Sequence, residues 1–276
     1  MQSTVDEFLG RWELHQPELA AETGQARVWK VLSKHGPAAL KIYRRQDRGN
    51  EAPGTALLAA WHDRGAVRIL NEEKNAVLME WLDGPSLGDI ARAGRPEDAI
   101  RTLAETASRL HSEITPPIVG LKPLERDFAP LFDCTFGPTC PSTLYHDMTS
   151  AIALAKHLLN GQSTSAPLHG DLHPDNIILT TKGPRVFDAK GYVGDPAFEL
   201  ANAVRHPKGM PELVRQPTQI ENCLSLYSKV MKVPKQRLAQ WAAAKCALSI
   251  FWRSEGAIEN DPETDLLSRL LKEAGQ

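Results

Sequence analysis

The stretch Leu168–Leu179, LHGDLHPDNIIL, followed by Pro184–Asn202, PRVFDAKGYVGDPAFELAN, decides how this chain is read. Asp171 and Asn176 stand five residues apart, and Asp188 comes 17 residues after Asp171 at the end of a short apolar run. Ile177–Thr180 and Arg185–Phe187 read as short strands bracketing the turn between them. Phosphoryl transfer asks little covalent chemistry of a protein, because the work is positioning and charge neutralisation. It needs a carboxylate near the attacking hydroxyl and oxygen ligands for a Mg²⁺ that bridges phosphates. His169, Asp171, Asn176 and Asp188 fit that set. His173 reads instead as a loop residue that hydrogen-bonds locally.

These two segments resemble a known family. Leu168–Leu179 is similar to the catalytic loop of the aminoglycoside phosphotransferases, relatives of the protein kinases. FDAKGYVGDPAFE, from Phe187, is similar to the metal-binding segment of the aminoglycoside/hydroxyurea resistance kinases, which include streptomycin 6-phosphotransferases. The resemblance implies that Asp171 is the catalytic base, that Asn176 and Asp188 hold Mg²⁺, and that His169 braces the loop. Ala189-Lys190-Gly191 replaces the Phe-Gly that follows this aspartate in protein kinases. Lys190 is then open to a phosphate contact or to solvent.

Working outward, Ala26–Leu32 (ARVWKVL) and Ala38–Tyr43 (AALKIY) read as a hairpin joined by KHGP. Glu51–Trp61 reads as a helix, although Asn50-Glu51 is equally a plain helix start. Val67–Leu70 and Ala76–Trp81 read as two further strands. Lys41 lies in an apolar strand, where a charge is costly unless exposed or paired. In kinases a third-strand lysine holds the α- and β-phosphates and pairs with a helix glutamate, so Glu51, ten residues on, is the expected partner. ETGQARV, at Glu22–Val28, has one glycine where protein kinases have three. Gly24 is a turn residue on either reading and a candidate phosphate contact. By resemblance, the backbone of Glu80 and Leu82 would meet the adenine edge, with Met79 behind it.

LDGPSL, Leu82–Leu87, is the expected boundary between lobes. Beyond it the pattern is helical over Asp89–Ala93, Pro96–Ile114, Leu144–Leu159, Phe198–Val204, Gln219–Val230, Lys235–Trp252 and Pro262–Ala274. Thr115–Ser142 carries no clear period. The expected fold is α+β and bilobal, of protein-kinase-like type. A small antiparallel sheet with helices (1–81) would bind nucleotide, 82–87 would be the hinge, and a mainly helical lobe (88–276) would hold catalytic and acceptor sites.

The 276 residues are 42% hydrophobic and 24% charged, which suffices for a packed core and excludes a wholly disordered chain. A formal charge of −2 supplies no basic excess for nucleic acid. Cys134, Cys140, Cys223 and Cys246 lack zinc-ligand spacing and read as incidental thiols. MQSTVDEFLGRWEL lacks the basic start and apolar run of a signal peptide, and Val5, Phe8, Leu9 and Trp12 follow helical spacing instead. No run nears the ~18 apolar residues of a membrane span. The expectation is a cytoplasmic enzyme with no membrane, nucleic-acid or obligate protein partner. It would use ATP and Mg²⁺ to phosphorylate a hydroxyl of a small, cationic acceptor such as streptomycin. Alternatives are a kinase of a sugar or amino-alcohol metabolite and a non-catalytic pseudokinase module. Carboxylates suit guanidinium groups, so Asp195, Glu199, Glu255 and Glu259 are candidate acceptor contacts, with Asp195 equally a helix cap.

Overall fold

The computed structural model describes residues 4–48 and 51–276, which leaves the start of the MQSTVDEFLGRWEL segment and Asn50 outside the described residues. A helix, α1 (Val5–Arg11), precedes three strands, β1 (His15–Glu22), β2 (Ala26–Ser33) and β3 (Gly36–Tyr43). Helix α2 (Ala52–Ala60) then leads to β4 (Ile69–Glu73) and β5 (Ala76–Glu80). The five strands form one antiparallel sheet in the order β1-β2-β3-β5-β4.

The two-residue period of β3 gives this sheet two different faces. Ala38, Leu40 and Ile42 are buried with Phe8 of α1, whereas Ala39, Lys41 and Tyr43 face the opposite way, into a cleft. Val28 and Val77 flank Lys41 in register. β1 escapes the sequence pattern because all eight of its residues are exposed, including Pro17, which an edge strand tolerates. Val67–Leu70 is displaced as a strand: Val67 N–H donates to Val186 O (2.8 Å) instead, and the pairing starts at Ile69.

The rest of the chain is α3 (Leu87–Arg92), α4 (Pro96–Leu110), β6 (Lys122–Pro123), α5 (Leu124–Phe128), α6 (Ser142–Asn160), β7 (Ala166–Leu168), β8 (Ile177–Thr180), β9 (Gly183–Val186), β10 (Tyr192–Gly194), α7 (Pro211–Val214), α8 (Pro217–Met231), α9 (Lys235–Ser254) and α10 (Thr264–Glu273). Ser86 and Asp89 close α3 with reciprocal side-chain to backbone bonds, which fixes where the chain turns helical after LDGPSL. The main core lies among α4, α6, α8, α9 and α10, and Leu57, Leu58 and Trp61 of the α2 region join it.

The helix expected over Phe198–Val204 is not formed. Two short 3₁₀ turns, Pro196–Phe198 and Asn202–Arg205, stand there, because Glu199 and Asn202 turn inward to serve the loop after β7. Pro96–Ile114 ends early, at Leu110, and Ile114 is exposed. Thr115–Ser142 holds only short pieces, β6, α5 and a 3₁₀ turn at Ala129–Asp133, which explains its lack of period. Among the described residues no helix is long and apolar enough to cross a membrane.

Candidate active site

The loop from Leu168 to Asn176 is held by main-chain and side-chain bonds that its own residues supply. His169 is fully buried; its Nε2–H donates to Phe187 O (2.9 Å), and its Nδ1 accepts from Asp171 N–H (3.2 Å). That arrangement requires the neutral ring, and burial accordingly pulls the imidazole pKa down. Asn176 Nδ2 donates to the Asp171 carbonyl (2.9 Å), which leaves the Asn176 amide oxygen without that duty. Asn176 O in turn accepts from Phe187 N–H (3.1 Å), so the residue before Asp188 is tied to the loop.

Gly170 has φ +81°, and a Cβ there would sit 2.2 Å from the Tyr192 ring, so no other residue fits before Asp171. Gly54 has an equivalent role in α2. Its missing Cβ lets the helix approach Ala189 O, which a Cβ would reach at 1.8 Å. This contact brings Glu51, at the start of α2, against the segment that carries Asp188.

A chain of charges results. Lys41 Nζ lies 2.6 Å from Glu51 Oε2 and 2.7 Å from Asp188 Oδ1. Lys190 Nζ lies 3.4 Å from Glu51 Oε1 and 3.5 Å from Asp188 Oδ2. Tyr43 donates its hydroxyl to Glu51 Oε2 (2.8 Å). Burial alone would lower the Lys41 pKa, but Asp188 and Glu51 outweigh it and hold the ammonium charged. Burial likewise opposes ionisation of Asp188, and Lys41 and Lys190 overcome it, so its carboxyl stays far below the usual range. Lys190 is therefore paired in the cleft rather than solvated.

These groups end a cleft of about 470 Å³, whose walls include Met79, Glu80, Leu82, Ile178 and Phe187. The Glu80 N–H is already committed to Arg68 O (2.9 Å), so its carbonyl is the group left for a ligand. Gly24 lies in the β1–β2 turn with open space around it, and its neighbours Thr23 and Gln25 line the cleft.

Asp171 faces a second cavity, of about 570 Å³, on the helical side. Asn202 Nδ2 donates to Asp171 Oδ1 (2.8 Å), and Arg205 donates to Asn202 Oδ1 (2.8 Å). No spacing in the sequence pointed to this Asn202–Arg205 relay. His173 accepts from Asp175 N–H (3.2 Å) and stacks on His206 with ring centroids 3.9 Å apart.

Three of the acids expected to meet the acceptor are placed otherwise. Asp195 is buried, accepting from Ala197 N–H and Trp241 Nε1–H while it pairs with Arg237; it caps the turn after β10. Glu199 is also buried. It pairs with His111 (2.8 Å) and accepts from the His169 and Gly170 N–H groups (3.1 and 3.3 Å). Both carboxylates serve the scaffold, so neither has an oxygen free for an acceptor. Glu255 is exposed just past α9 and is not part of the second cavity's wall.

A family model described as aminoglycoside/hydroxyurea antibiotic resistance kinase matches residues 11–256. The streptomycin 3''-kinase of Klebsiella pneumoniae is 32% identical over 248 residues, covering 88% of this chain and 89% of the relative. The streptomycin 6-kinase of Streptomyces griseus is 28% identical over 267 residues, covering 92% and 83%. Among solved structures, the choline kinase LicA from Streptococcus pneumoniae superposes with a TM-score of 0.67 at 15% identity, over 98% of this chain and 96% of that one. A thermostable mutant of aminoglycoside phosphotransferase APH(4)-Ia, in ternary complex with ADP and hygromycin B, gives 0.63 at 11% identity, over 99% and 98%. At these identities the structural likeness establishes the bilobal α+β fold alone. The family match, by contrast, runs through both the sheet and the helical part: the chain belongs to the aminoglycoside/hydroxyurea antibiotic resistance kinase family.

Proposed function

We propose that this chain transfers the γ-phosphate of ATP to a hydroxyl of an aminoglycoside, and that streptomycin is the acceptor to try first. The observation that carries the reading is the network in which Lys41, Glu51 and Asp188 meet at one end of the cleft, with Asp171 and Asn176 tied to the same segment. The family membership and two streptomycin kinases among the relatives support the acceptor class.

In this reading residues 1–81 hold the nucleotide, 82–87 hinge the lobes and 88–276 hold the acceptor. The adenine edge meets the Glu80 carbonyl and Leu82 N–H beside Met79, and Gly24 lies over the phosphates. Lys41, fixed by Glu51, meets the α- and β-phosphates. Asp171 accepts the proton of the attacking hydroxyl, and Asn202 fixes which of its oxygens faces the acceptor. His169 keeps the loop in place as a neutral donor to Phe187 O. The donor set of Asn176 and Asp188, one amide and one carboxylate oxygen beside the cleft, has the hard-oxygen chemistry Mg²⁺ prefers. When bound there, Mg²⁺ would neutralise phosphate charge as it develops.

The test is incubation of the purified chain with γ-labelled ATP and Mg²⁺, offering streptomycin, choline and a neutral sugar in parallel. Label recovered on streptomycin supports the proposal; label on choline or the sugar alone moves the chain to a metabolite kinase, and no transfer to any acceptor contradicts the catalytic reading.

A further inference from the structure

The wall of the cavity that Asp171 faces contains a lysine on α9, Lys245. Lys245, Ser249 and Trp252 are spaced four and three residues apart on α9, so one stripe of the helix supplies all three to that wall. Lys245 is only 4% exposed. Among the described residues its ammonium has no carboxylate or carbonyl partner at bonding distance, and it lies against the Trp252 ring, 4.1 Å from Nζ to the centroid. An ammonium carries three donors, and here they open onto the cavity instead of meeting protein oxygens.

Of the other cations of this wall, Lys208 is exposed to solvent and the three arginines are paired. Arg205 is taken by Asn202, Ser249 and Glu263. Arg253 is taken by Asp261 and Glu263. Arg215 donates to the Pro262 carbonyl. Asp171 Oδ1 is occupied by Asn202 and does not serve Lys245. A buried cation that faces a cavity beside the proposed base, with unused donors, is built for an oxygen that arrives from outside.

We propose that Lys245 is an acceptor-binding residue: it donates to an acceptor oxygen next to the hydroxyl that Asp171 receives, and so admits an oxygen-rich face of the acceptor while turning its ammonium or guanidinium groups away. This rests on the phosphotransferase reading above. The same placement makes acceptor binding depend on pH. Burial lowers the Lys245 pKa to about 8, against Asp171 and Asp127, which favour the charge, and with Arg205 and Lys190, which oppose it. A lysine is charged below its pKa, so acceptor binding should be strongest below about pH 8 and weaken above it.

The experiment uses the purified full chain as wild type, Lys245→Met and Lys245→Arg, with streptomycin and Mg²⁺–ATP. Losing a charge-assisted bond should raise the streptomycin KM of Lys245→Met by about 10- to 100-fold, with the ATP KM within about twofold. Its melting temperature should change little, since methionine keeps a flexible unbranched stem one atom shorter and loses only the ammonium, whose one contact among the described residues is the Trp252 ring. Lys245→Arg should restore most of the acceptor affinity and abolish the rise in KM that wild type shows above about pH 8. The amines of streptomycin titrate equally in both assays, so the comparison isolates the lysine. A Lys245→Met variant with wild-type streptomycin KM, or one that melts lower and loses ATP and acceptor affinity together, would overturn the proposal. A wild type that labels no streptomycin overturns the acceptor reading itself, and this proposal with it.

Discussion

Asp188 is held at φ +62°, with one ammonium group on each of its carboxylate oxygens. Aspartate and asparagine tolerate that left-handed backbone better than most residues, so an amide replacement keeps the shape while removing the charge and one acceptor oxygen, the one turned to Lys190 costing less than the one on Lys41. Asp188→Asn should therefore weaken Mg²⁺–ATP by at least about 10-fold while changing metal-free nucleotide binding much less. Nucleotide titrations with and without Mg²⁺ measure this, and equal losses in both would make the residue structural. At this scale the sequence was informative where a role is local. The Asp171, Asn176 and Asp188 spacing lies within one loop and its neighbour, and the resemblance to kinases named Glu51 as the partner that Lys41 meets. Asn202, Lys245 and Asp127 carry no such signal, because only tertiary packing brings them to Asp171 or its field. Asp195 and Glu199 misled for a related reason: a buried carboxylate and a surface carboxylate look alike until their partners are known.

The loop after β7 and the Asn202–Arg205 turn are joined by the stacked rings of His173 and His206, and burial keeps these histidines and His169 neutral. Burial lowers the pKa of His169, of His173 (to about 3) and of His206. A histidine whose folded pKa lies below its unfolded value of about 6.5 binds fewer protons in the native state. Its contribution is present above about pH 6.5 and is lost as the pH falls toward the folded pKa. Stability should thus drop between pH 6.5 and 4.5, by up to about 1.4 kcal/mol per pH unit for each histidine involved. Melting curves across that range check it; a flat profile for wild type would mean the rings already carry charge in the native state. The sequence pattern located most helices and strands, since amphipathic periods survive in α4 and α10. It missed β1, where every residue is exposed, and it read two 3₁₀ turns as a helix, because nothing in the pattern shows that Glu199 and Asn202 turn inward.

At the scale of the molecule, an antiparallel sheet and a helical body meet at a cleft that ends at Asp188, and a second cavity opens at Asp171. The α2 region belongs to both, with Glu51 facing the sheet's lysine and Leu57, Leu58 and Trp61 packed in the helical core. The bilobal plan was legible from the change of period after Trp81, whereas this shared helix was not, because its apolar residues fit either core. The proposed function depends on Asp171 standing where the proposed nucleotide and acceptor sides join. The most direct measurement is transfer of label from γ-labelled ATP to streptomycin by wild type and by Asp171→Ala, with melting temperature and ATP affinity taken on both. Alanine keeps the carbonyl that Asn176 uses, so the fold and ATP binding should hold while transfer falls by about 10²- to 10⁴-fold. Near-normal transfer by a well-folded Asp171→Ala would contradict the account.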